Sequence, residues 1–203
     1  MGENVKRVVV ATSNAHKVTE IMSIIDIDGY EFVPLGELGE FPEPVEDGTT
    51  FLENARIKAR AAHEETGLAA MADDSGIVVD SLGGAPGIYS SRYSGTGDDG
   101  ANNAKLLEEL AALGEDVDRT GRFACAIVFI DEDGTELHAE ATVEGRIDDH
   151  EHGEGGFGYD PLFLPDEYGG ELSMAEITME QKNAISHRGR ALRKLREQLV
   201  SLK

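Results

Sequence analysis

Carboxylates and cations recur along this chain in short clusters whose spacing suggests chemistry. The stretch "GLAAMADDSGIVVD" sets Asp73 and Asp74 side by side between two apolar runs. Aspartate is a poor strand former and rarely stays buried without a partner, so a cation, a helix N-terminus or solvent must compensate the pair. Neighbouring side chains of an extended segment point to opposite faces, so the two acids are expected to do different jobs. One can bind a hard cation while the other takes backbone N–H bonds in a turn. A plain Asx turn ending the strand is the alternative. In "PEPVEDGTTF", Glu43, Glu46 and Asp47 precede a helix, whose dipole stabilises acids there. A metal role for Glu46 needs a second acid from a distant segment, and Asp74 is the candidate. Mg²⁺ takes one or two carboxylates plus substrate phosphates, so that pair would suffice.

Other clusters carry further possibilities. "TSNAHK", Thr12 to Lys17, joins a strand to a helix. It reads either as a phosphate cradle of backbone N–H groups with Lys17 as a point charge, or as a simple N-cap by Ser13 or Asn14. "GEGGFGYDP" matches G-x-G-x-x-G, but "YDP" rather than a helix follows, which argues against a dinucleotide fold. Its Phe157 and Tyr159 can still offer an aromatic face to a base. His150 and His152 lie among Asp148, Asp149 and Glu151; without H-E-x-x-H spacing or cysteine this run reads as a solvated acidic loop. "KNAISHRGR" gathers Lys182, His187, Arg188 and Arg190 in an otherwise acidic chain, which points to an anion or a base carbonyl.

Alternating strand and helix signals must position these groups. "RVVVAT" is an apolar run of strand length. "HKVTEIMSIID" puts Val18, Ile21, Met22 and Ile25 on one helical face. "YEFVPL" reads as a strand, and "ELGEFPEPVEDG" as a loop. Thr50 and Glu53 form a capping-box signature opening a helix that Gly67 ends. "LAAMAD" and "GIVVD" are expected to be strands flanking the acid pair. "ANNAKLLEELAALG" is helical, with Leu106, Leu107, Leu110 and Leu113 on one face. "RFACAIVFI" and "ELHAEATVEG" flank "DEDGT" as a hairpin. The last stretch is helical with a break near Ser186 and a stripe of Leu192, Leu195, Leu199 and Leu202. The class is α/β, a mixed sheet with helices on its faces.

The totals narrow the classes. At 203 residues with 40% apolar content, one domain with a sizeable core is expected. Forty acids against eighteen bases give a net charge of −22, a surface that repels duplex nucleic acid and anionic membranes. That acidity reads either as an ordinary soluble enzyme or as adaptation to high salt. No apolar run reaches membrane-spanning length, the start lacks the apolar segment of a signal peptide, and the single Cys125 sits in an apolar strand. A cytoplasmic protein is the expectation.

Taken in order, "ATSNAHK", "VEDGTTFLENA", "ADDSG", "LGGAPGIYSSRYSG", "GGFGYDP" and "AISHRG" resemble the Ham1/RdgB family of inosine triphosphate pyrophosphatases. Each piece alone is weak; six in sequence at compatible spacing are specific. The resemblance implies a long mixed sheet with two lobes around a central cleft, and a homodimer. It implies Mg²⁺-dependent hydrolysis of deaminated purine nucleoside triphosphates (ITP, dITP, XTP) to the monophosphate and pyrophosphate. It further implies that Thr12, Ser13, Asn14, Ala15, His16 and Lys17 bind the triphosphate. Glu46 and Asp74 would hold the metal, with Asp74 also the proton acceptor. Lys58 and Ser75 would contact substrate, while Phe157, Gly158, Tyr159, Asp160, Lys182, His187 and Arg188 frame nucleoside and base. One departure is visible: the first loop reads T-S-N where many members have T-G-N. A metal-dependent phosphatase releasing orthophosphate and a non-catalytic nucleotide sensor are the competing readings.

Overall fold

The computed structural model of the protein describes residues 5–201. In chain order the elements are β1 (Lys6–Val10), α1 (Ala15–Ile24), β2 (Tyr30–Pro34), α2 (Phe51–Thr66) and β3 (Ala69–Val79). They continue as α3 (Asp99–Ala112), β4 (Thr120–Ile130), β5 (Glu136–Ile147), β6 (Phe163–Pro165), α4 (Met179–Ile185) and α5 (His187–Ser201). The six strands form one sheet in the order β2-β1-β3-β4-β5-β6. β1 runs parallel to both β2 and β3, whereas β6 is antiparallel to β5, so the sheet is mixed and the α/β class holds.

Two compact units divide the chain. The first holds the residues up to Asp74, then Cys125–Ala141 and everything from Arg188 on; the second holds Ser75–Ala124 and Thr142–His187. Within the first unit the two faces of the sheet bury different helices. Val8, Val10, Ala69 and Met71 join Ile21 and Ile25 of α1 and Leu192, Leu195 and Leu199 of α5 in one core. Val9, Ala70 and Ala72 join Ala55, Ala59 and Ala62 of α2 in another. This is the period-two alternation of a strand covered on both sides. The second unit has its own core, in which Ile77, Leu106, Leu110, Phe123 and Phe163 take part.

Local signals place most elements. Thr50 caps α2 through its hydroxyl, Glu53 closes the box, and Gly67 ends the helix at φ 68°. Ser186 breaks the last helical stretch with ψ 152°, because its extended backbone cannot continue α4 into α5. Three expectations need correction. The acid pair does not separate two strands: β3 runs unbroken through Asp73, Asp74, Ser75 and Gly76. Met22 is exposed, and Glu20 takes its place on the buried face of α1. Leu113 is likewise exposed, while Asn102 and Asn103 are buried on α3. The three-residue β6 had no assignment from sequence, being too short to show a period. Leu202 lies outside the described residues.

The cap of α2 makes a first prediction. Thr50→Ala removes the hydroxyl that accepts the Glu53 N–H at 3.1 Å, and should cost about 1 kcal/mol of stability. The urea unfolding midpoint measures it; an unshifted midpoint would mean that water replaces the cap at no cost.

Candidate active site

The first unit gathers the acids and lysines that the sequence singled out. Because Asp73 shares the odd-numbered face of β3 with Ala69 and Met71, it meets α1 and α5. Lys17 Nζ lies 3.2 Å from Asp73 Oδ2. Arg188 donates to the same oxygen from Nε at 3.2 Å and from Nη2 at 3.0 Å, and its Nη1 pairs with Glu20. The Asp73 side chain has no exposed surface, and that of Arg188 is 1% exposed. Burial alone would push the Asp73 carboxyl up. The charges of Lys17, Arg188 and Lys58 outweigh it and hold the group far below the usual carboxylate range. The neighbouring Cys125 thiol is pushed up to about 12 by burial, which makes it an inert core group.

Asp74 shares the other face with Ala70 and Ala72, and so meets α2. Lys58 Nζ lies 2.8 Å from Asp74 Oδ1 and 3.6 Å from Glu46 Oε1. The two carboxylates proposed as a pair therefore converge on one positive charge. Lys58 is desolvated by its burial, but Asp74, Asp73 and Glu46 outweigh this and raise its pKa. Asn54, fully buried one turn before Lys58, ties the acidic loop down. Its side-chain carbonyl accepts the Gly48 N–H at 2.9 Å, and its amide donates toward Asp74 Oδ2 at 3.4 Å. A Cβ on Gly48 would lie 2.5 Å from that same carbonyl oxygen, so only glycine lets the loop approach.

The strand-to-helix loop settles into a cap. Asn14 Oδ1 accepts the N–H groups of His16 at 3.0 Å and Lys17 at 3.1 Å, and the Asn14 N–H donates to the Thr12 hydroxyl at 3.2 Å. Ser13, Ala15 and His16 are exposed beside it. Among the described residues no non-glycine has positive φ, so serine at position 13 meets no backbone obstacle.

The second unit holds the remaining candidates. Asp160 Oδ2 accepts the Lys182 ammonium at 2.5 Å and the Phe157 N–H at 2.8 Å. Lys182 Nζ also sits 4.7 Å from the Phe157 ring centroid, a cation–π contact. Tyr159 donates its hydroxyl to the Ser90 carbonyl at 2.9 Å, which fixes the turn that includes Gly158. His187 stacks on Phe123, with ring centroids 4.9 Å apart. Ser75 is half-buried in β3. The glycine after it is required, since a Cβ on Gly76 would lie 2.5 Å from the Gly87 carbonyl.

Two positions were missed by the sequence reading, Asn54 and Glu20. Asn54 and Lys58 stand four apart, one above the other on α2, and such a polar pair on a helix that otherwise buries alanines was the available signal. Glu20 carried none beyond its place beside Ile21. All three guanidinium nitrogens of Arg188 donate to Asp73 or Glu20.

Arg188→Met leaves two acids without that cation and should cost about 3–5 kcal/mol in urea unfolding at neutral pH. Asp73 has a lowered folded pKa, so its stabilisation is complete above about pH 4 and drains away as the pH falls further. The gap between the two chains should therefore narrow below about pH 4. A gap under 1 kcal/mol at pH 7 would contradict the assignment.

Known proteins resemble this chain along nearly its whole length. The model of the Ham1 family matches residues 8–198. A protein of Cutibacterium acnes named dITP/XTP pyrophosphatase is 49% identical over 189 residues, covering 92% of this chain and 93% of its own. One of Desulforamulus reducens with the same name is 50% identical over 197 residues, covering 97% and 96%. The structure of a HAM1 protein from Coxiella burnetii superposes with a TM-score of 0.86 at 39% identity, over 97% of this chain and 99% of that one. The Ham1 protein of Staphylococcus aureus gives 0.85 at 38% identity, over 98% and 100%. The chain belongs to the Ham1 family.

Proposed function

We propose that this chain hydrolyses deaminated purine nucleoside triphosphates (ITP, dITP and XTP) to the monophosphate and pyrophosphate, its 203 residues acting as one enzyme domain. The observation that carries the reading is the division of Asp73 and Asp74 between the faces of β3. It leaves Asp74 with Glu46 as an oxygen-only pair around one positive charge. About half of the positions are shared, over nearly the whole length, with proteins named dITP/XTP pyrophosphatase, which supports the substrate class.

The donor set fits a hard ion. Two carboxylates with no nitrogen or sulfur donor are what Mg²⁺ takes, substrate phosphates completing its shell. Glu46 and Asp74 would hold it, and when bound it supplies charge neutralisation to the triphosphate and acidity to a water. Asp74 accepts the proton of the attacking water as a new bond to phosphorus forms. The anhydride P–O bond breaks, and its electron pair leaves with pyrophosphate. Lys17 and Lys58 serve as point charges for phosphate oxygens, beside the Thr12–Lys17 loop, with Ser75 as a further substrate contact. Phe157–Asp160 and Lys182 are assigned to the nucleoside, and His187 to O6 of the base, where adenine carries an amino group instead. Arg188 is kept beside His187 at the base, while it also supports Asp73.

With ITP as substrate, chelation of divalent ions should abolish turnover and Mg²⁺ should restore it, with pyrophosphate as product; orthophosphate would favour the phosphatase reading. Asp74→Asn should lower kcat by about 10²–10⁴-fold while leaving the circular dichroism spectrum intact. A near-normal kcat in that variant would remove Asp74 from the mechanism. His187→Ala should lower kcat/KM for ITP far more than for ATP, since a hydrogen-bonding site can discriminate by roughly 10⁴-fold.

The reading also carries a cytoplasmic homodimer with a salt-tolerant surface. Sedimentation should give twice the 21.8 kDa chain mass, and the unfolding midpoint should rise between low and molar KCl as self-repulsion is screened. A monomer, or equal midpoints, would contradict the respective expectation.

A further inference from the structure

The acidic loop after β5 was expected to be merely solvated. The structure instead brings Asp148, His150 and His152 together, so that one ligand atom from each lies within 4.8 Å of the others. A bend at Asp149 and His150 does this, folding the chain so that His152 comes back against Asp148. Glu151 goes elsewhere, accepting from Asn103 Nδ2 on α3 at 2.8 Å. The run is anchored at both ends. The Asp148 N–H donates to the Leu162 carbonyl at 2.8 Å and the His152 N–H to that of Pro161 at 2.9 Å. The Ser173 hydroxyl donates to the His152 carbonyl at 2.8 Å. Ordering the loop is thus already accomplished by its backbone.

The ring nitrogens are arranged for a ligand. Asp149 holds His150 Nδ1, which leaves Nε2 as the free donor, the carboxylate–histidine pairing that orients metal-binding imidazoles. His152 Nε2 lies 2.7 Å from Asp148 Oδ2, sharing one proton. Around a tetrahedral ion with bonds near 2.0–2.2 Å, neighbouring donors stand roughly 3.3 Å apart. A half-ångström opening of that pair, with the exposed His150 closing in from within 4.8 Å, lets an ion replace that proton, which leaves to solvent. We propose that Asp148, His150 and His152 form a binding site for a borderline divalent ion of the zinc class, with water in the fourth position. Two imidazoles and one carboxylate favour Zn²⁺, Co²⁺ or Ni²⁺ over Mg²⁺ or Ca²⁺, which prefer all-oxygen shells. This ion is separate from the one assigned to Glu46 and Asp74, and the inference stands whether or not the proposed hydrolysis does. The ion staples the segment that leads directly into the Gly153–Asp160 turn.

The test is titration of the tag-free chain with Zn²⁺ in excess Mg²⁺, followed by calorimetry, and with Co²⁺, followed by its visible spectrum. The expected result is one tight equivalent with tetrahedral Co²⁺ bands and a raised melting temperature. Asp149→Asn should weaken binding by about 10–100-fold, and His150→Gln or His152→Gln by more, whereas His138→Gln, near the other end of β5, should bind normally. His150 is 67% exposed in its side chain, so its replacement tests the site even if the His152 variant fails to fold. Weak binding of several equivalents, as any acidic surface gives, or a tight site unchanged in both histidine variants, would overturn the proposal.

Discussion

A carboxylate with no exposed surface, set in the middle of a strand, must be matched by cations or it does not stay charged. Asp73 is matched by Arg188 and Lys17. Those two side chains come from α5 and α1, the helices whose apolar stripes cover the same face of the sheet. The ion pairs and the apolar packing therefore specify the same arrangement, and this consistency is what makes the register unambiguous. A slip of β3 by one residue would carry Asp73 to the alanine-lined face under α2 and Asp74 to the face under α1 and α5. The pairing of Asp74 with Lys58 and Glu46 thus depends on Asp73 staying where it is.

The economy of positive charge follows the same logic. The chain has only seven lysines, yet Lys17, Lys58 and Lys182 each sit against a buried aspartate. Their side chains are 15%, 15% and 7% exposed. In such surroundings an ion pair is far less screened than at the surface, so these few cations act strongly while the exterior stays acidic. The proposed triphosphate substrate, approaching a body of net charge −22, needs such islands of reversed sign. The same exterior raises the local concentration of cations around the anchored Asp148–His152 loop, where two imidazoles convert a general attraction into a preference among ions.

Much of the fold was legible because its determinants are local. The capping box at Thr50 and Glu53, the stop at Gly67, the hairpin turn between β4 and β5 and the break at Ser186 each depend on a few consecutive residues. The opposite orientation of Asp73 and Asp74 was also readable, from the two-residue period of an extended chain. What failed locally was the inference that two acids end a strand. Intrinsic propensity disfavours aspartate there, and partners up to 115 residues away override it. Glu20 was missed for the same reason, since its partner Arg188 lies 168 residues on.

The sequence by itself determined most of the elements, their caps, the family and the acids and bases available for chemistry, because residue type and short-range spacing suffice for these. Tertiary structure alone decided how they are grouped. It set Glu46 and Asp74 on one ammonium, turned Arg188 inward to Asp73, recruited Asn54 to hold the Gly48 loop and closed two histidines and an aspartate into a cluster. The physical reason is that a charge or hydrogen bond takes its strength from what is brought within about 3 Å of it. Only the packing of sheet against helices fixes those neighbours.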